Sequence, residues 1–305
     1  MSRISRREFV AVASAAPFVF SRRGATAVLT AQDVTDRIRK HLGVEPKPDT
    51  VDTFKAGDPA TAITGVATTA LATMDVLRRA VKAGANLVIT CEPTFYSRAD
   101  SQTPPPRRGA GPGDAGRAGE NAPDPVFAAK TDFIRRQDLV VWRFSDGWRL
   151  RTPDPFAQGL VDALGWSKFR EANDPSRAAI PATTLGALAT HVRTRLGARG
   201  GVRVVGDPQT PVQNVAVLPG STPIQASLKT LPAVDAIVAG EVREWESVEY
   251  ARDAVAAGRK KGLLLVGRVL SEDPGMNVCA TWLGEVVPEL KTTWIAAGDP
   301  YWRPL

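Results

Sequence analysis

Histidine is almost missing from this chain, with 2 in 305 residues, and cysteine is equally scarce at 2. Two cysteines cannot build the disulfide framework that holds small exported domains together. Cys91 and Cys279 could pair, but nothing in the sequence places them side by side. The histidines, His41 near the end of one expected helix and His191 inside another, stand apart from the clustered acids. Both read as ordinary helix residues, with His41 well placed against the helix dipole. There is no Gly-x-Ser-x-Gly elbow, no Walker loop and no convincing dinucleotide fingerprint. Gly240-Glu241 after "VDAIVA" ends a strand without a phosphate loop. The apolar stretch from Phe9 to Phe20 is twelve residues long and contains Pro17. A bilayer span needs roughly 20 apolar residues, so no stable membrane anchor is expected.

What is present begins with a leader. "SRREFVAVASAAPFVFSRRGATA" joins Arg6 and Arg7 to Phe9, an apolar stretch and a small-x-small end at Ala25-Thr26-Ala27. This pattern resembles the signal of the twin-arginine export pathway, with residues 1–27 removed and the protein periplasmic or secreted. The leader holds five arginines and one glutamate, so the formal charge of +7 falls to +3 without it. The basic balance is largely the leader's, and it makes no case for nucleic-acid binding.

From Leu29 onward the chain reads as α/β. "LTAQDVTDRIRKHLG" has Thr30 as N-cap, apolar Val34, Ile38 and Leu42 at spacing four, and Gly43 as a stop. The strand "ITGVATTALAT", the amphipathic helix "MDVLRRAVKAGA" and the strand "NLVIT" follow as a βαβ unit, whose parallel strands carry function at their carboxyl ends. Between Ser101 and Pro125 nothing apolar is larger than alanine, proline aside, and the segment reads as a mobile surface loop. A helix over "VFAAKTDFIRRQD" and a strand over "LVVWRF" restore order, and a thinner region runs to about Ala182. The second half repeats the rhythm: strands at "VRVVGD", "VQNVAVLPGST", "VDAIVAG" and "GLLLVGRVL", the last ending near Glu272, with helices between. Two α/β lobes around one site are expected, the first over about 28–165 and the second over about 183–305.

Metal-assisted hydrolysis needs a few His, Cys, Asp or Glu ligands gathered at strand ends with a position open for water. Cys91 and Glu92 after "NLVIT", Asp146 in "RFSDGW", and Glu272 with Asp273 in "GRVLSEDPGM" are the candidates. Acids at strand ends also cap helices and form ion pairs, so the residue types alone leave both roles open.

The collinear series "GVATTALATMDVLRRAVKAGANLVITCEP", "VVWRFSDGW", "VRVVGDPQTPVQNVAVLPGST", "VDAIVAGEVREWESVEYARDAVAAG" and "LLLVGRVLSEDPGM" resembles the Nif-three-like family, dinuclear-metal-centre hexameric proteins catalogued as GTP cyclohydrolase 1 type 2 homologs. The resemblance spans roughly Leu29 to Trp302. It implies two similar lobes with mixed sheets flanked by helices, a homo-hexamer, and two divalent metals per subunit in the cleft between lobes. The family's ligand motifs are a His-His-Pro corner, a histidine and an aspartate in the middle, and a final His-x-x-x-Glu. Cys91 and Glu92 stand at the His-His positions here, Ser145 where a histidine is expected, and Arg268 four residues before Glu272. Asp146 and Asp154 both remain candidates for the middle aspartate.

Arginine cannot ligate a cation, because its guanidinium stays protonated and presents only donors. The resemblance therefore implies a degraded centre holding one metal or none, with Arg268 as a metal-replacing cation paired to Glu272 or Glu92. If a site survives, its ligands are Cys91, Glu92, Asp146 and Glu272, with Glu92 or Glu272 orienting water. Two readings follow: an exported metal-dependent hydrolase, or a non-catalytic scaffold or small-ligand binder in which ion pairs replace metals. The ligand itself is not legible in the residues.

Overall fold

The structure, a computed structural model, describes residues 28–43, 47–103 and 124–304. The expected leader and most of the proline- and glycine-rich segment lie outside them. Helix α1 (Ala31–Leu42) runs between Thr30, whose hydroxyl and backbone exchange bonds with Asp33, and the left-handed Gly43. Strand β1 (Phe54–Ala56) and strand β2 (Gly65–Thr69) follow, then helix α2 (Met74–Lys82), strand β3 (Leu87–Thr90), helix α3 (Pro125–Arg136) and strand β4 (Val140–Arg143). These strands with β11 (Lys291–Trp294) form a five-stranded sheet in the order β1-β4-β3-β2-β11, antiparallel only at β1. The parallel β2 and β3 are buried along their whole length, so they read as continuous β-branched runs rather than alternating ones.

Helix α4 (Asp146–Arg149) and helix α5 (Pro155–Ala163) lead to the second sheet. It comprises β5 (Arg170–Glu171), β6 (Asp174–Thr184), β7 (Arg203–Val205), β8 (Pro211–Ser221), β9 (Ala236–Glu241) and β10 (Gly262–Leu265). Its order is β5-β6-β8-β9-β10-β7, with β8, β9 and β10 parallel. Helices α6 (Leu185–Leu196), α7 (Ile224–Thr230) and α8 (Glu249–Ala256) flank it. Mixed α/β architecture with two helix-flanked sheets is thus as the sequence led one to expect. The sheets do not divide where the sequence thins: β5 and most of β6 lie in the second sheet ahead of residue 183, and β11 returns to the first.

The larger correction concerns "GRVLSEDPGM". It was expected to finish a strand near Glu272, but the strand stops at Leu265 and helix α9 (Arg268–Val286) begins at once. This helix leaves the second sheet and feeds β11 of the first, carrying Met276, Cys279, Trp282 and Leu283 into the first sheet's core. It crosses α5 at close range: a Cβ on Gly159 would sit 2.5 Å from the Pro274 backbone, so glycine is what permits the approach. The helix that joins the lobes also carries Arg268 and Glu272 toward both. Among the described residues no helix is long and apolar enough to cross a membrane.

Candidate functional site

The site is built where the loops after β2 and β3 meet the first turns of α9. The Ala70 carbonyl accepts from three donors of the "TCE" corner: the Thr90 hydroxyl at 3.0 Å, the Cys91 thiol at 3.4 Å and the Glu92 amide at 3.0 Å. Asp273 ties α9 to the same loop, accepting from the amides of Ala70, Ala297 and Gly298 at 3.0–3.2 Å. Cys91 and Glu92 are thereby fixed at the carboxyl end of a parallel strand, facing Glu272 one turn into the helix. A carboxylate near a helix N-terminus is favoured by the dipole. The Cys91 sulfur and one oxygen each of Glu92 and Glu272 lie within 4.8 Å of one another, all buried.

Two arginines close this group. Arg268 Nη2 donates to Glu92 Oε1 at 2.7 Å, and its Nε lies 3.7 Å from Glu272 Oε2. Arg149, from the short helix α4, donates to Glu272 Oε1 and stands 3.8 Å from Glu92 Oε1. Its guanidinium carbon lies over the Phe156 ring, 4.3 Å from the centroid. Gly220 admits this pair. Its φ of +80° is one that only glycine adopts without strain, and a Cβ there would fall 2.5 Å from Glu272 Oε1. Glu272 Oε2 and Arg268 Nε are both buried without a hydrogen-bond partner among the described residues.

Burial, and then Glu92, push the Glu272 carboxyl up to about 7, against the opposing pull of Arg149 and Arg268. Burial pushes the Cys91 thiol well up, and the two glutamates add to it. The sulfur is therefore a thiol, and it donates to the Ala70 carbonyl. Burial works against the Arg149 charge, but the neighbouring glutamates, Glu272 foremost, more than compensate and hold it protonated.

The other expected site residues lie elsewhere. Asp146 turns away from the trio and accepts from the Thr50 hydroxyl and the Val51 amide at 3.0 and 3.1 Å. Asp154 caps α5 through the Phe156 amide. Neither aspartate joins the trio of metal-type ligands. Ser145 is buried and gives its amide to Asp52, which also takes the amides of Asp146 and Gly147 and so pins α4 and Arg149. The cysteines are free and unpaired. His41 packs edge-on against Trp282, and His191 contacts the Leu164 carbonyl, both outside the trio. Arg149 is the residue that sequence reasoning missed, although "SDGWR" places it one turn beyond the expected middle ligands.

The residues present do not fit a two-metal centre. Among the described residues three candidate donors gather, too few for two ions, and guanidinium groups already engage both carboxylates. The trio taken alone has the ligand types and spacing that could hold one metal ion.

No family model matches the chain, and no curated protein does. Among solved structures, the fold recurs in the Staphylococcus aureus hypothetical protein SA1388, with a TM-score of 0.65 and 15% identity over 90% of this chain and 99% of that one. It recurs in a Bacillus cereus protein related to NIF3, with a TM-score of 0.65 and 14% identity over 91% and 99% of the two chains. Reduced HcgD from Methanocaldococcus jannaschii is more distant, with a TM-score of 0.52 and 12% identity over 87% and 97%. At these identities the likeness is one of architecture, and the chain has a NIF3-like fold.

Proposed function

We propose that this protein is an ion-paired variant of a metal-cleft fold: a small-ligand-binding protein, without a dinuclear centre, in which Arg149 and Arg268 supply the positive charge that metals would. One observation carries the reading. Both buried glutamates are engaged by guanidinium groups, Glu92 by Arg268 and Glu272 by Arg149, and a guanidinium excludes a cation from the same oxygen. A pocket of about 690 Å3 opens beside the pair, within the size range of small-molecule sites. Metal analysis of the purified protein beside the combined Cys91→His, Ser145→His and Arg268→His variant tests it. The expected result is no bound metal in the wild type and gain of metal in the variant. Equal, stoichiometric metal in both overturns the reading.

The second reading is a hydrolase with one metal held by Cys91, Glu92 and Glu272. It is favoured by the compactness of the trio and by the unpartnered Glu272 Oε2. Stoichiometric metal in the wild type that is lost in Glu272→Gln would establish it. The proposed setting is export by the twin-arginine route and self-assembly as a hexamer. Amino-terminal sequencing of the exported protein, expected to start at Val28, and light scattering of the purified chain address these two points.

A further inference from the structure

The pocket beside the ion pair has one wall that does not come from either sheet. After β11 the chain crosses to the second lobe and is fastened there at Gly200: Asp299 Oδ2 accepts the Gly200 amide at 2.7 Å, and Arg303 Nε donates to the Gly200 carbonyl. Asp299 Oδ1 accepts the Tyr301 amide at 2.9 Å, which shapes the turn. The approach is so close that a Cβ on Gly200 would meet the Tyr301 Cβ at 2.5 Å. Yet the segment leaves its two large rings uncovered, Tyr301 at 68% and Trp302 at 73% exposure, and both line the pocket. A tail tethered by two hydrogen bonds and shaped by a third while its aromatic faces remain bare is a prepared stacking wall, because ring faces are where flat molecules gain contact.

The charges around the pocket select the ligand further. Arg268 is engaged by Glu92, Arg203 by Glu244, and Arg303 by the Gly200 carbonyl. Both oxygens of Asp299 accept backbone amides. The lining charge whose side chain has no partner among the described residues is Glu241, an exposed carboxylate at the carboxyl end of β9. The wall therefore offers a flat apolar face together with one free carboxylate.

We propose that this pocket binds a planar aromatic ring bearing a donor or cationic nitrogen edge, an aromatic amine or amidine. The ring stacks on Trp302 and Tyr301, and the nitrogen edge pairs with Glu241. Cation–π attraction and the carboxylate act in the same direction on such a group. The inference rests on the ligand-binding reading above and names its ligand class.

The test is isothermal titration of the full chain with 2-aminobenzimidazole, with cyclohexylamine as the non-planar cation and benzoate as the planar anion. Metal content is measured on the same sample. The expected result is binding of 2-aminobenzimidazole about tenfold or more tighter than of either control, with Trp302→Ala and Glu241→Gln each weakening it by about tenfold. Gly200→Val, which dislodges the tail, should weaken it as much as Trp302→Ala, while Trp245→Ala, an exposed ring outside this pocket, should leave it unchanged. Equal binding of cyclohexylamine, tighter binding of benzoate, no binding at millimolar probe, or indifference to Trp302→Ala overturns the proposal. Metal found in the trio while the planar preference persists overturns the metal-free reading and leaves this one standing.

Discussion

Buried carboxylates are held in two different ways in this molecule. Asp52 and Asp273 are each caged by three backbone amides, those of Ser145, Asp146 and Gly147 in one case and Ala70, Ala297 and Gly298 in the other. Glu92 and Glu272 are held mainly by the side chains of Arg149 and Arg268, and Glu272 keeps one oxygen without a partner. Backbone donors are fixed by the fold and cannot be withdrawn, so a carboxylate they satisfy is part of the scaffold. Side-chain donors can swing away or be exchanged, so a carboxylate they satisfy stays chemically available. The first kind marks how the lobes are fastened, and the second marks where a ligand or an ion can compete.

The sharpest way to break the contrast is Asp273→Ala. It strands three amides that tie the loop after β2 and the segment after β11 to α9. Each buried, unsatisfied donor costs on the order of 1–3 kcal/mol, so a loss of about 4 kcal/mol in urea unfolding is expected. Arg149→Met should cost about 3 kcal/mol, because it leaves Glu272 buried beside Glu92 with less compensation. The double variant Arg149→Met with Glu272→Gln should recover much of that loss. An equivalent rescue is not available to Asp273→Ala, since no side chain can remove the stranded amides. If Arg149→Met proves as stable as wild type, the pair is a surface contact and the distinction fails.

Much of this was legible in the sequence, and the illegible part has a physical cause. The β2-α2-β3 unit could be read because buried parallel strands are continuous β-branched runs and because Gly84 closes the helix. The corner at Cys91 and Glu92 follows from the end of β3. Helix α9 was hidden, because its opening "RVLSEDPGM" carries two acids and a proline where an amphipathic pattern would be sought. Its opening turns, from Leu270 to Met276, are buried almost throughout, and only further along do Asn277, Thr281 and Glu285 give it a solvent face with a helical period. Misreading it put Glu272 at a strand end. Asp146 was plausible as a ligand because an acid after a strand looks the same whether it faces a site or braces a turn. Arg149 was invisible because its partner Glu272 lies 123 residues away, and only the crossing of α9 over α5 brings them together.

The finest test of the contrast is pH. The Glu272 carboxyl moves from its ordinary 4.5 up to about 7, so between those values the folded state holds a proton that the unfolded chain has released. Its contribution is fully present below about 4.5 and is lost as pH rises through about 7, a decline of about 3 kcal/mol. Lys130 acts in the opposite direction and in another window. Buried with its ammonium against the Thr94 carbonyl, it falls from 10.5 to about 8, so the unfolded chain holds the extra proton and stability rises between pH 8 and 10.5. Stability profiles of wild type, Glu272→Gln and Lys130→Met separate the two. Glu272→Gln should flatten the neutral decline and leave the alkaline rise, and Lys130→Met should do the reverse. A neutral decline that survives in Glu272→Gln would mean that the arginines hold Glu272 ionised throughout.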